Sequence, residues 1–190
     1  MSARTKPQAE QVVLLSNDGS AIGAADKATV HQAATPLHLA FSCYLFDERA
    51  RLLVTRRSLA KRTWPGVWSN SCCGHPAPGE PVEAAVRRRV NEELGIALGE
   101  VACLLPDFRY RAVDASGIVE NEVCPVYAAR ISGDPCPDPA EVADWQWTPW
   151  PAFLQLAHDA PWAISPWAAL QAPLLASSLD PVGQLGMVAD

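Results

Sequence analysis

No stretch of this 190-residue chain approaches the run of about 20 apolar residues that a membrane-spanning helix needs. The opening segment, Met1 to Gln11, has no apolar core, so nothing there reads as a secretory leader. Positive charge is also short. Fifteen Lys and Arg against 21 Asp and Glu leave a net charge of −6. That balance argues against non-specific binding to nucleic acid or to an anionic membrane, both of which want a basic surface. It leaves room for a phosphorylated small molecule, because a pocket can be locally basic on an acidic protein. None of the six cysteines has a C-x-x-C partner, which speaks against a structural zinc ribbon. A chain with this much core needs no disulfide framework either. There is no internal repeat and no shift of composition that marks a second domain. The expectation is a cytoplasmic protein without nucleic-acid or membrane partners, a monomer or weak homodimer.

What is present is an ordinary soluble mixture, 49% apolar and 19% charged. Residues 1–10 read as a disordered extension, 11–172 as one catalytic domain, and 173–190 as a weakly ordered tail. Gln11 to Ser16 predicts a strand, ended by the turn Asn17-Asp18-Gly19 and followed by a second strand to about Lys27. Pro36 to Asp47 and Leu52 to Thr55 read as a hairpin. Lys61 to Gly79 is a long loop of Trp, Pro, Gly, Asn and Cys, and loops of that length usually carry function. Glu80 to Leu94 is the clearest helix, with Gly95 as its stop. Strands are expected at Val101 to Val113, Ile118 to Ile131 and Asp144 to Thr148. Helices are expected at Pro149 to Ala157 and from Ser165, where Ser then Pro marks a helix start. Strands and helices do not alternate regularly, so the fold class is α+β, a mixed β-sheet flanked by helices.

Only four histidines occur, and His31, His38 and His75 fall within a short span. Any one alone is most simply a surface or satisfied core residue. Glu120 and Glu122 stand at i and i+2 on a predicted strand, so both carboxylates share a face. Two like charges on one face are harmless in water; turned inward, they need a cation. Three imidazoles and two carboxylates suit a divalent metal such as Mn²⁺, Mg²⁺ or Zn²⁺.

A more specific signal runs from Gly74 to Ile96. Gly74, Glu80, Arg88, Val90, Glu92, Glu93, Gly95 and Ile96 fall in register with the Nudix box, a loop and helix whose carboxylates hold magnesium against a diphosphate. One position departs: Arg89 stands where Nudix hydrolases carry a catalytic glutamate. Around it lie Leu37-His38-Leu39-Ala40-Phe41, Thr63-Trp64-Pro65-Gly66-Val67-Trp68, Asn70-Ser71-Cys72-Cys73-Gly74-His75-Pro76, Pro106-Asp107-Phe108-Arg109-Tyr110-Arg111, Gly117-Ile118-Val119-Glu120-Asn121-Glu122 and Ser165-Pro166-Trp167. In this order, over roughly Val12 to Leu170, these segments resemble the type 1 isopentenyl-diphosphate isomerases, a branch of the Nudix superfamily.

The resemblance implies a Nudix-like fold and the conversion of isopentenyl to dimethylallyl diphosphate, a step of isoprenoid biosynthesis. It implies Cys73 and Glu122 as the catalytic pair, with Tyr110 beside the glutamate and Trp167 facing the reacting carbon. It implies His31, His38, His75, Glu120 and Glu122 as ligands of a tightly held divalent metal. Glu93 would bind a second Mg²⁺ carried in with the diphosphate, and Lys27, Arg57, Lys61 and Arg89 would contact the diphosphate itself. Glu92 receives no role. Such chemistry needs an acid and a base, and an indole face to stabilise a tertiary carbocation without trapping it. A thiol with an ordinary pKa of about 8.5 needs positive surroundings to ionise. His75 is expected to help provide them. The remaining tryptophans, Trp64 among them, are expected to pack. A diphosphate hydrolase would share the helix but not Arg89 or the histidines. A silent metal-binding module would not need Cys73 and Glu122 together.

Overall fold

The computed structural model describes residues 10–177. Two sheets organise it. The first has the order β2 (Ala21–Asp26), β1 (Gln11–Leu15), β3 (His38–Leu39), β10 (Val119–Val123) and β9 (Arg109–Val113). The second has the order β12 (Val142–Pro149), β5 (Arg51–Arg57), β4 (Phe41–Phe46), β11 (Val126–Arg130) and β8 (Val101–Leu105), with β6 (Trp68–Ser69) on β5 and β7 (Cys72–Gly74) on β4. Four α-helices accompany them among the described residues: α1 (Lys27–Val30), α2 (Val82–Leu94), α3 (Trp150–Asp159) and α4 (Pro166–Ser177). None is long and apolar enough to cross a membrane.

The α+β expectation holds. β4 is buried at every position because both faces of its sheet are covered. Phe41, Cys43 and Leu45 point to Ala85, Val86, Val90 and Leu94 of α2. Tyr44 and Phe46 point the other way, to Trp150 and Phe153 of α3 and Trp167, Ala168 and Ala172 of α4.

Several expected elements are subdivided. The strands read as continuous over 36–47 and 118–131 each change sheet part-way. The chain leaves the first sheet after Leu39 and enters the second at Phe41; it does the same between Val123 and Val126. The two crossings run side by side, with Ala40 N–H on Val123 O at 2.9 Å and Ser42 N–H on Pro125 O at 3.1 Å. Pro125 has no N–H to extend the first ladder, which explains the break. Likewise 101–113 divides into β8 and β9 around Pro106. The long loop at 61–79 contains β6 and β7. A single turn, α1, capped by the Asp26 carboxylate, follows the second strand. α2 begins at Val82, not Glu80, because Pro81 occupies the cap. Gly95 ends it with φ 69°, and a Cβ there would stand 3.0 Å from the Cys136 carbonyl oxygen. α4 continues through Pro173 to Ser177, into the segment expected as a tail. Residues 1–9 and 178–190 of the expected extension and tail lie outside the described residues.

Candidate active site

The seam where the chain changes sheets gathers the chemistry. Glu120 and Glu122 lie on the same face of β10, as their spacing requires, and Glu122 stands beside His38 in the parallel β10–β3 pair. The loop carrying His31 is tied to β10 by Val119 N–H on Gln32 O at 2.9 Å and by Asn121 Nδ2 on Thr35 O at 3.3 Å. His75 follows β7. One ligand atom from each of His31, His38, His75 and Glu122 falls within 4.8 Å of every other. His38 Nδ1 lies 3.0 Å from the Pro36 carbonyl, so that nitrogen carries a proton and, in the neutral ring, Nε2 presents its lone pair inward. Glu122 Oε1 is 3.1 Å from His75 Nε2 and 3.4 Å from His38 Nε2; Glu120 Oε2 is 3.0 Å from His31 Nε2. Glu120 thus borders the four-residue group through His31.

Four buried atoms here make no hydrogen bond: His31 Nε2, His38 Nε2, His75 Nδ1 and Glu120 Oε2. Orphaned buried polar atoms are costly. The three imidazoles converge with Glu122, a donor set that fits a divalent cation. Burial pulls the His75 imidazole down to about 4, which leaves it neutral at physiological pH. Burial also acts against charging His38, but Glu122 more than offsets it and holds that imidazole above its ordinary value. Glu122 is held well below the carboxylate range because His38 and His75 outweigh its burial. Glu120 is pushed up by burial and by the like charge of Glu122.

A cavity of about 440 Å³ opens beside this cluster. Of the residues given a catalytic, metal-binding or diphosphate-binding role by the resemblance, all but His38 and Glu93 line it. His38 is fully buried behind the wall. Glu93 faces a smaller adjoining space shared with Cys73, Arg57, Lys61 and Glu141. Cys73 Sγ lies 3.3 Å from Asn70 Oδ1 and 3.4 Å from Ser42 Oγ. Asn70 is a hub: its amide nitrogen donates to the Cys43 and Cys72 carbonyls, each at 3.0 Å, so its oxygen faces Cys73 and accepts the Trp167 indole N–H at 3.0 Å. The indole is fixed further by the Ser69 hydroxyl at 3.0 Å, by Tyr110 at 5.8 Å between ring centroids, by Trp64 edge-on at 5.5 Å, and by the Arg57 guanidinium 5.4 Å from its ring. Trp64 therefore packs, as expected, but against the site itself, and does so with a φ of 44°. Tyr110 stands opposite Glu122 in the β9–β10 register.

Burial pushes the Cys73 thiol up to about 11, with hydrogen bonds to Ser42 and Asn70 and the Arg57 charge only partly opposing it. Among the protein groups, the cation acting on the sulfur is Arg57. Neighbouring Cys72 faces the other way, into the core under α2.

The cationic end was only partly legible. Lys27, Arg57, Lys61 and Arg89 line the cavity, joined by Arg62, whose guanidinium donates to the Ala28 carbonyl at 2.5 Å. Gly74 lets Arg89 approach: a Cβ there would meet Arg89 Cγ and Phe41 Cζ at 3.0 Å each. Lys27 pairs with Glu10 at 2.6 Å. Arg89 pairs with Glu93, with Glu92 at 3.0 Å and with Glu141 at 3.3 Å. Lys61 also pairs with Glu141. Burial lowers Lys61 to about 8; the Glu93 charge opposes this and Arg57 and Arg89 add to it. Arg88 instead grips Glu80 with two bonds of 2.8 Å, locking the loop before α2. Glu10, Arg62 and Glu141 carried no signal that assigned them a place, and Asn70 stood in a motif without an assigned role. Glu10 sits beside a polar terminus and Glu141 after a Pro-rich loop, where nothing local indicates what a side chain will meet.

A family model described as NUDIX domain matches residues 36–170. The chain is 62% identical over 167 residues to a Mycolicibacterium vanbaalenii protein named isopentenyl-diphosphate Delta-isomerase, covering 88% of this chain and 92% of that one. It is 58% identical over 183 residues to a Leifsonia xyli protein of the same name, covering 94% and 99%. Among solved structures it resembles a Deinococcus radiodurans protein with a TM-score of 0.67 at 19% identity, covering 87% of this chain and 98% of that one, a likeness of fold.

Proposed function

The chain belongs to the isopentenyl-diphosphate Delta-isomerases within the Nudix family, and from that membership we propose that it converts isopentenyl diphosphate to dimethylallyl diphosphate by adding one proton and removing another. The observation that carries the reading is that Cys73 and Glu122 line one cavity with Trp167 and with a row of cations. The substrate's alkene is unactivated. A proton added to its terminal carbon creates a tertiary cation, and removal of a proton from the neighbouring methylene leaves the allylic product. In this direction Glu122 is the acid, with Tyr110 beside it, and Cys73 is the base. With the protein groups alone, burial favours the thiol at Cys73, while His38 and His75 favour the carboxylate at Glu122. The pair thus shares one exchangeable proton, and each form serves one direction of a reversible transposition.

Trp167 offers its indole to the cation, an interaction worth about 2 kcal/mol when desolvated. Its N–H is already committed to Asn70 and Ser69, which fixes the ring. Lys27, Arg57, Lys61 and Arg89 hold the diphosphate, supplying binding energy remote from the reacting carbons. His31, His38, His75, Glu120 and Glu122 would hold a divalent metal, whose charge would fix the two carboxylates against each other. Glu93 would serve a second Mg²⁺ accompanying the diphosphate. Arg89 in place of a hydrolase glutamate supports isomerisation over hydrolysis. The reaction test is incubation of the purified protein with Mg²⁺ and isopentenyl diphosphate: an acid-labile allylic diphosphate is expected, and release of phosphate in its place would sink the reading. The metal test is elemental analysis, with about one tightly bound divalent ion per chain expected and much less in His38→Ala.

A further inference from the structure

Glu141 belongs to no motif, yet it sits between two cations of the main cavity. Its backbone is tied on both sides. Its carbonyl accepts the Ser58 N–H at 2.9 Å, and its own N–H donates to Asp138 O at 2.9 Å; the Asp138 N–H in turn donates to Glu93 O at 2.9 Å. Ser58 opens the loop that carries Lys61, and Glu93 lies on the helix that carries Arg89. This short segment therefore joins the two pieces of chain that bring the cations and sets a carboxylate between them. Oε2 pairs with Lys61 Nζ, and Oε1 lies 3.3 Å from Arg89 Nη2.

Two features indicate what this carboxylate does. A carboxylate bridging an ammonium and a guanidinium takes the place that phosphate oxygens would take on the same donors. Arg89 Nε is buried and makes no hydrogen bond, so its carboxylate partners leave the guanidinium incompletely satisfied. A cation drawn partly out of water without an anion is expensive, and in the ligand-free chain Lys61 has Glu141 as its carboxylate partner.

We propose that Glu141 is the resident counter-ion of the diphosphate subsite: it holds Lys61 and Arg89 in position in the ligand-free chain and yields them to the incoming diphosphate. The inference rests on the diphosphate reading of the cavity given above. Glu141 is a positioning residue, acting through the two cations. Its charge competes with the ligand, so it limits how tightly diphosphates bind and keeps product release from slowing.

Glu141→Gln keeps the size of the side chain and removes the charge. Calorimetric binding of inorganic pyrophosphate with Mg²⁺ at pH 7 is expected to be about tenfold tighter than in the unmodified protein, the scale of one nearby charge in a partly solvated site. The ligand-free variant should melt lower and gain more in Tm from pyrophosphate. KM and kcat should both fall, as expected when release slows, whereas a purely structural loss would lower kcat alone. Pyrophosphate binding that is unchanged or weaker in the variant overturns the proposal. If neither protein binds pyrophosphate, the diphosphate reading itself fails. Should Glu141→Gln not fold, Glu141→Asp keeps the charge but is too short to bridge both cations. It is expected to bind pyrophosphate more tightly by a smaller factor, and equal affinity would again overturn the idea.

Discussion

At the scale of single residues, Cys72 and Cys73 make the sharpest contrast. They are neighbours on β7, and strand geometry sends their side chains to opposite faces. Cys73 meets Ser42, Asn70 and the cavity; Cys72 is sealed in the core under α2. Cys73→Ala should lower turnover by a factor of about 100 or more, the scale of a lost acid or base. Cys72→Ala should leave turnover nearly unchanged and cost about 1 kcal/mol in denaturant unfolding, for a small buried group. A thiol-alkylating reagent should inactivate the protein, with pyrophosphate protecting it. An inactive Cys72→Ala beside an active Cys73→Ala would reverse the assignment. The sequence carried this level of detail where residues sit in dense motifs. Asn70 shows the limit: it was visible in the motif, but its role as common acceptor for Cys73 and Trp167 depends on α4 packing back over β6, which no local pattern encodes.

At the scale of elements, α2 and the sheet crossing do most to build the site. The Nudix spacing located α2 closely because its Gly, Glu and Arg positions follow from helix geometry and from the Glu80–Arg88 grip. Arg89 is set among Glu92, Glu93 and Glu141. Arg89→Glu would gather four carboxylates around a buried position, with a loss of about 3 kcal/mol expected in unfolding measurements and weaker pyrophosphate binding in calorimetry. Unaltered stability and affinity would show that Arg89 neither neutralises this cluster nor reaches the diphosphate. The crossing was not legible in advance. Strand periodicity passes straight through Ala40 and Cys124; Pro125 marks a break in one segment, but the side-by-side pairing of the two segments is what shows that the chain changes sheets there. Glu122 and His38 become neighbours through that long-range pairing.

At the scale of the whole molecule, an acidic chain of net charge −6 lines one cavity with five cations, of which Lys27, Lys61 and Arg89 are paired with carboxylates. Burial lowers Lys61 from 10.5 to about 8, with the Glu93 charge opposing it and Arg57 and Arg89 adding to it. The unfolded chain therefore binds more protons than the folded one between those values. This group's contribution to stability rises with pH across that window. Diphosphate binding needs the charged form, so pyrophosphate affinity should fall as pH rises above about 8 and binding should take up a proton there. Calorimetry in buffers of different ionisation enthalpy measures both, and a flat affinity from pH 7 to 9.5 would remove Lys61 from the subsite.

The central claim is that a carboxyl group delivers a solvent-exchangeable proton to the substrate's terminal carbon while a thiol removes another. The most direct measurement is proton and deuterium NMR of isopentenyl diphosphate turned over in deuterium oxide at low conversion, with Mg²⁺ present. One deuterium in a methyl group of the allylic product is expected, with no such product from Glu122→Gln or Cys73→Ala on the same timescale. An allylic product free of deuterium, or equal turnover by both variants, would contradict the account.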